Sequence, residues 1–177
     1  FNPVPQMPLV EVVAAGATDP ALAARAAAFV RQIDKLPLPV KDAPGFLVNR
    51  VLAPYLQNAF RMLEEGIKPE TIDAAMEAFG MPMGPIELAD TVGLDICLHA
   101  GKSLAKPMSS RRSADAGGGE GANLLEQKVA LGHLGKKSGE GFYRYEKGKA
   151  VKGSADSYDA TLIEALIEPY LAEAKDR

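Results

Sequence analysis

An acidic residue lies inside a short apolar run near the start of the chain, Leu9-Val10-Glu11-Val12-Val13. Keeping an ionised carboxylate among β-branched side chains costs several kcal/mol unless a partner satisfies it. A carboxylate so placed can orient a neighbouring imidazole and stabilise its charged form, the part an acid plays behind a general-base histidine. The alternative is a Glu11 on the solvent face of a strand or at its end. A second candidate is Asn49, an amide in an apolar stretch just after Ala43-Pro44-Gly45. It suits either a hydrogen bond to a substrate oxygen or one to local backbone at a helix start.

Other chemistry-bearing side chains read differently. His99 and His133 stand at no metal-ligand spacing and have no cysteine or carboxylate cluster beside them, so no metal site is expected. Ser138 in Ser-Gly-Glu-Gly does not match a nucleophile elbow, and no His/Asp pair accompanies it. The glycine-rich residues 135–141 follow a helical pattern and precede an extended one, whereas a phosphate cradle needs the reverse. They read as a tight turn. Lys102, Lys106, Arg111 and Arg112 form a local basic cluster better suited to a solvated loop than to phosphates. Met81 and Met83 read as packing filler.

The elements that must position Glu11 and Asn49 follow from pattern. Residues 9–13 predict a buried strand, closed by Ala14-Ala15-Gly16. Thr18 or Asp19 caps a helix with Pro20 in its first turn, running to about residue 34. Leu36-Pro37-Leu38-Pro39-Val40 is extended, and its prolines restrict it to an edge strand or a linker. Beyond Asp42-Ala43-Pro44-Gly45, apolar residues from Val48 to Leu63 recur at helical spacing around an internal Pro54, which predicts a kink, and Gly66 ends that helix. Further helices are expected from Pro69 to Gly80, from Pro85 to Gly93 with a continuation towards Lys106, and over about 123–131. Residues 108–121 read as a glycine-rich surface loop, 142–145 as extended, 147–157 as a polar linker and about 160–175 as a last helix. That helix repeats the first long one: Pro54-Tyr55-Leu56 and Ala59 coincide with Pro169-Tyr170-Leu171 and Ala174 at an offset of 115 residues. Such an offset points to a duplicated domain rather than a solenoid.

Composition narrows the function classes. The 177 residues are 47% hydrophobic and 24% charged, as a folded globular chain requires. A net charge of -3 argues against a dedicated nucleic-acid or anionic-membrane surface, and no uncharged apolar run is long enough for a membrane span. One cysteine, Cys97, excludes an internal disulfide and fits a reducing compartment, so a cytoplasmic location is expected.

Four segments in order carry a family resemblance. Phe1-Asn2-Pro3-Val4-Pro5 with Met7-Pro8-Leu9-Val10-Glu11-Val12-Val13 resembles the end of the NAD-binding domain of 3-hydroxyacyl-CoA dehydrogenases. Asp42-Ala43-Pro44-Gly45-Phe46-Leu47-Val48-Asn49-Arg50 resembles the entry into that family's helical C-terminal domain. Gly80-Met81-Pro82-Met83-Gly84-Pro85 with Leu88-Ala89-Asp90 and Val92-Gly93-Leu94-Asp95 fits as well, as does Leu134-Gly135-Lys136-Lys137-Ser138-Gly139-Glu140-Gly141-Phe142-Tyr143-Arg144-Tyr145. Residues 108–121 match nothing in the family.

The resemblance implies a mainly α fold: a helical C-terminal dehydrogenase domain, residues 43–146, behind a strand-helix-strand remnant of a Rossmann-type α/β domain, residues 1–42. Residues 147–177 would be a linker and the first helix of a second copy, similar to the multifunctional α-subunits of fatty-acid oxidation complexes. The implied activity is oxidation of a 3-hydroxyacyl-CoA with NAD in β-oxidation. Glu11 would be the acid behind a catalytic histidine expected two positions before residue 1, and Asn49 the amide at the reacting oxygen and a substrate contact. NAD would be held by an upstream domain, so the 177 residues alone are expected to be inactive. Implied partners are the acyl-CoA substrate, a second copy of the domain in a homodimer or across tandem repeats, and a thiolase subunit. Two alternatives are a helical association module without chemistry and a relative acting on non-CoA hydroxy acids.

Overall fold

The computed structural model describes Phe1, residues 3–109 and residues 121–175. The loop expected at 108–121, and with it Arg111 and Arg112, lies almost wholly outside them. The chain divides into two compact units, Phe1–Arg50 and Val51–Asp176.

In the first unit, β1 (Leu9–Ala14), α1 (Pro20–Gln32) and β2 (Leu36–Lys41) form a strand-helix-strand unit with the strands parallel, Leu9 opposite Leu36 through Ala14 opposite Lys41. Helix α1 starts where its sequence directs: Pro20 fills the first turn and the Asp19 carboxylate accepts the Ala21 N–H at 2.8 Å. The extended proline-rich segment is a strand. Leu36 N–H donates to the Pro8 carbonyl and Asp42 N–H to that of Ala14, so even-numbered β2 residues face β1. Pro37 and Pro39, which have no N–H, therefore face away from it and close that edge to further pairing.

The second unit is helical, as its composition requires. Helix α2 (Val48–Glu64) begins in the first unit and continues through Pro54. Then come α3 (Pro69–Phe79), α4 (Pro85–Val92), α5 (Leu94–Ser109) and α6 (Gly121–Ala130). A 3-10 turn (Lys136–Ser138), the strands β3 (Arg144–Glu146) and β4 (Lys149–Val151), and α7 (Ala160–Lys175) complete it. The predicted stripe on α2 is its buried side, with Val51, Tyr55, Ala59 and Phe60 in the core. Around them pack Ile72 and Met76 of α3, Ile86 and Ala89 of α4, Leu94, Leu125, Tyr143, Leu166 and Ile167. Gly80 ends α3 in the left-handed conformation, φ 117°, as a glycine C-cap does.

One segment differs from expectation. Residues 147–157 do not begin as a linker: Lys147 and Gly148, at φ 50° and 77°, make a two-residue turn that folds β4 back on β3, antiparallel. Two consecutive positive φ values match the twist of paired strands. Gly148 carried the signal, and the unusual lysine before it concealed the hairpin.

Candidate functional site

Glu11 sits mid-way along β1, opposite Leu38, and is half-buried. Its Oε1 accepts the backbone N–H groups of Leu47 and Val48, both at 2.9 Å. These belong to the N-terminus of α2, where N–H groups have no intrahelical partner and the helix dipole favours negative charge. The turn before α2 aims them: Gly45 and Phe46 both have positive φ, 76° and 49°, and Phe46 N–H returns to the Ala43 carbonyl. A phenylalanine in that conformation costs about 1 kcal/mol or more, so the surrounding contacts must hold it there. Both hydrogen bonds fall on Oε1. Oε2 accepts none among the described residues, which leaves one carboxylate oxygen to engage another group.

Asn49 follows directly on the two residues that Glu11 holds. Its side chain is exposed and makes no hydrogen bond among the described residues, so it does not cap local backbone. The first unit thus brings together, at one helix start, an anchored carboxylate with a spare oxygen and an amide with both polar atoms available.

Lys35 ties down the segment that precedes β1 and was not anticipated. Its Nζ donates to the carbonyls of Val4, Pro5 and Met7 at 3.0, 3.0 and 2.9 Å, using all three ammonium hydrogens on the segment that enters β1. A lysine 28 residues or more from its acceptors gives no local signal.

The same unit bears on a dinucleotide. The α1 N-terminus, which could meet a phosphate, is closed by Asp19, whose own negative charge occupies the open N–H. Residues 1–43 therefore do not themselves offer that anion seat.

In the second unit two aspartates are wholly buried, and the sequence reading missed them. Asp73 of α3 accepts Ile86 N–H at 2.8 Å on Oδ1, and Glu87 N–H at 3.0 Å and the Tyr143 hydroxyl at 2.8 Å on Oδ2. It caps α4 from another helix, because Gly84 at the cap position has no side chain. No larger residue fits: a Cβ on Gly84 would come within 2.3 Å of the Asp73 Cα. Asp90 of α4 accepts Phe142 N–H at 3.0 Å and Tyr143 N–H at 2.9 Å. A Cβ on Gly141 would lie 2.1 Å from its Oδ1, and one on Gly135 would lie 2.3 Å from its carbonyl oxygen. The glycine-rich stretch is thus a packed turn wrapped on Asp90. Burial pushes both carboxyls above the ordinary value, opposed by their hydrogen bonds. Lys152 lies beside Asp73 and bonds Glu77 and Glu87 at 2.8 Å each. Burial works against its charge, but those carboxylates outweigh it and raise its pKa.

The remaining candidates do not converge on a site. Ser138 Oγ accepts Leu134 N–H and lies within hydrogen-bonding reach of the Gly135 and Glu140 carbonyls, holding its own turn. His133 lies 3.7 Å from Glu140 and His99 is exposed on α5. Lys102 pairs with Glu126 at 2.7 Å. Burial pushes the Cys97 thiol up to about 11, which makes it a poor nucleophile. Among the described residues no group of three or more metal-ligating side chains occurs, and no helix is long and apolar enough to cross a membrane.

Comparison with known proteins gives the following. Residues 45–145 match the family model of the 3-hydroxyacyl-CoA dehydrogenase C-terminal domain, and residues 1–43 match that of the 3-hydroxyacyl-CoA dehydrogenase NAD binding domain. A fatty acid oxidation complex subunit alpha of Pseudomonas aeruginosa is 40% identical over 152 residues, which is 86% of this chain and 21% of that protein. The chain spans about a fifth of the length of the curated relatives it matches. Among solved structures, (S)-3-hydroxybutyryl-CoA dehydrogenase PaaH1 from Ralstonia eutropha superposes with a TM-score of 0.72 at 39% identity, over 83% of this chain and 50% of that one. A 3-hydroxybutyryl-CoA dehydrogenase from Escherichia coli gives 0.72 at 37% identity, over 90% and 34%.

Proposed function

Since the chain belongs to the 3-hydroxyacyl-CoA dehydrogenase family, we propose that the whole protein oxidises the 3-hydroxyl of an acyl-CoA to a ketone in fatty-acid oxidation. NAD accepts the hydride in this chemistry. The cofactor belongs to a complete dinucleotide domain of which residues 1–42 are the closing unit, and the 177 residues alone do not turn over substrate. Residues 43–146 form the helical dehydrogenase domain, and 147–177 open a second copy of it. The names of the R. eutropha and E. coli neighbours support a CoA thioester substrate.

The observation that carries the reading is the anchored carboxylate. With Oε1 fixed by Leu47 and Val48, Glu11 presents Oε2 in a set direction, as an acid must to hold an imidazole in one tautomer and stabilise its cation. That imidazole takes the hydroxyl proton as the carbonyl forms. Asn49, one residue beyond the anchored turn, hydrogen-bonds the reacting oxygen through its amide N–H. Association across tandem copies is supported by α7, which packs on α2; a thiolase subunit belongs to the same assembly, in the cytoplasm.

The test is made in the full-length protein that carries this chain, with a 3-hydroxyacyl-CoA and NAD. Glu11→Gln keeps the shape and removes the charge, and kcat is expected to fall about 10²–10⁴-fold with the acid limb of the pH profile displaced. Asn49→Ala is expected to cost about 10²–10³-fold. Wild-type kcat in both variants removes the assignment.

A further inference from the structure

The segment that enters β1 has few means of holding itself in place. Pro3, Pro5 and Pro8 have no N–H, and the N–H groups of Gln6 and Met7 both return to the Pro3 carbonyl, at 3.0 and 3.1 Å. Apolar packing adds little, since Val4 keeps 67% of its surface in water and Met7 37%. Among the described residues, one group supplies every hydrogen bond that residues 3–7 receive from the rest of the first unit. It is the Lys35 ammonium, on the carbonyls of Val4, Pro5 and Met7.

Lys35 is itself fixed from both sides. Helix α1 closes with the Asp34 N–H on the Arg31 carbonyl and the Lys35 N–H on that of Val30, each at 3.1 Å, while Asp34 takes the left-handed conformation, φ 57°. This is a Schellman close, whose left-handed residue is usually glycine. The next residue, Leu36, donates to the Pro8 carbonyl at 2.8 Å and starts β2. The ammonium therefore extends from a rigid point, and three converging carbonyls match its three hydrogens.

The stretch from residue 3 to Glu11 thus has two parts. From Leu9 onward it is strand, paired with β2, and carries the carboxylate whose Oε2 is open. Before Leu9 its course is set by Lys35. The imidazole of the function proposed above is expected two positions before residue 1, so its place relative to Oε2 depends on both parts. We infer that Lys35 is a positioning residue for that reaction, acting through the segment it holds rather than on the substrate. The inference rests on the proposed function, and the two fail in different ways.

The test is made in the full-length protein that carries this chain, with a 3-hydroxyacyl-CoA and saturating NAD. Lys35→Met keeps most of the stem and removes the ammonium. The kcat is expected to fall about 10²-fold, as a misplacement of about 1 Å can cause, with KM for the acyl-CoA unchanged. The acid limb of the pH profile is expected to move to lower pH, because an imidazole drawn away from Glu11 loses the negative charge that raises its pKa. Lys35→Arg keeps the charge, but a planar fork cannot converge on three carbonyls, so it is expected to restore only part of the rate. In a Glu11→Gln background Lys35→Met is expected to cost much less than in the wild type, since both residues serve one group. Should Lys35→Met lose its helical circular dichroism, Lys35→Arg carries the same readouts. Wild-type kcat in Lys35→Met beside an impaired Glu11→Gln overturns the inference and leaves the proposed function standing. A fall in kcat with an unmoved acid limb, equal in the Glu11→Gln background, reports lost folded protein and overturns it as well. Wild-type kcat in Glu11→Gln removes the proposed function itself, and the inference with it.

Discussion

The two units use carboxylates to hold backbone N–H groups, but they leave those carboxylates in different states. Asp73 engages both oxygens in a site closed to water, and Asp90 likewise accepts one N–H on each. Glu11 commits one oxygen and keeps the other, in a half-buried position. A saturated buried acid has nothing left to offer a substrate; its effect is on the fold. An acid with one oxygen fixed is aimed and still available. The apolar cores differ in parallel. The second unit buries Ile72, Met76, Ile86 and Leu166 completely, whereas the first buries Ala27 and Val30 and leaves Leu22, Phe29, Ile33 and Leu36 about half exposed or more.

The largest test of this contrast is Asp73→Ala against Glu11→Ala. Removing Asp73 leaves the N–H groups of Ile86 and Glu87 and the Tyr143 hydroxyl in a dry interior, at an expected cost of about 3–5 kcal/mol. Removing Glu11 exposes two helix-terminal N–H groups that water can reach, which costs about 1 kcal/mol, as loss of a cap does. Urea unfolding followed by far-ultraviolet circular dichroism measures both. Equal losses would erase the distinction between a saturated and an available acid.

A smaller effect sharpens it through pH. Burial raises the Asp90 carboxyl above its ordinary value, so the native state takes up that proton at a higher pH than the unfolded chain does. Its contribution is therefore fully present below the unfolded pKa and is lost as pH rises through the native one. Asp90→Asn has no such proton. The difference in urea midpoint between the wild type and Asp90→Asn is expected to be larger near about pH 4 than at neutrality. A difference that shrinks on acidification contradicts the burial argument.

How far the sequence reveals this depends on range. The strand-helix-strand unit, α2, and the ends of α3 and α4 are local in origin: Pro20, Pro69 and Pro85 open helices, Gly66 and Gly80 follow their ends, and stripes of apolar residues run between. Glu11 stood out because a charge interrupts a run of valines, yet its partners lie 36 and 37 residues on. Asp73 follows Ile72 and precedes Ala74-Ala75-Met76, so the same rule applied to helices would have marked it. Its role is nonetheless not local: its bonds to Ile86 and to Tyr143, 13 and 70 residues away, are tertiary. The roles of Gly84 and Gly141 were hidden for the same reason, since each is required by an aspartate elsewhere in the chain, while Gly135, at φ 93°, is required both by Asp90 and by its own turn.

The smallest expected effect tests the exposed face of the first unit. Phe29 lies on α1 with 59% of its surface in water, and Leu22 and Ile33 lie on the same helical stripe. More than half of that residue is already in water, so hydrophobic transfer contributes less to stability there than at a buried aromatic. Phe29→Ser is expected to change the unfolding free energy by no more than about 0.5 kcal/mol, the range of substitutions at exposed positions. Phe60, with 5% exposure and its ring stacked on Phe142 at 5.6 Å, provides the control. The same change there removes a buried aromatic and places a hydroxyl among apolar groups, at an expected cost of about 3–5 kcal/mol. Solubility should move the other way: Phe29→Ser reduces an apolar patch and lowers turbidity at high concentration, whereas Phe60→Ser raises it by populating open states. A destabilisation by Phe29→Ser approaching that of Phe60→Ser would mean that the α1 stripe is covered in solution, and the contrast between the units would have to be redrawn around whatever covers it.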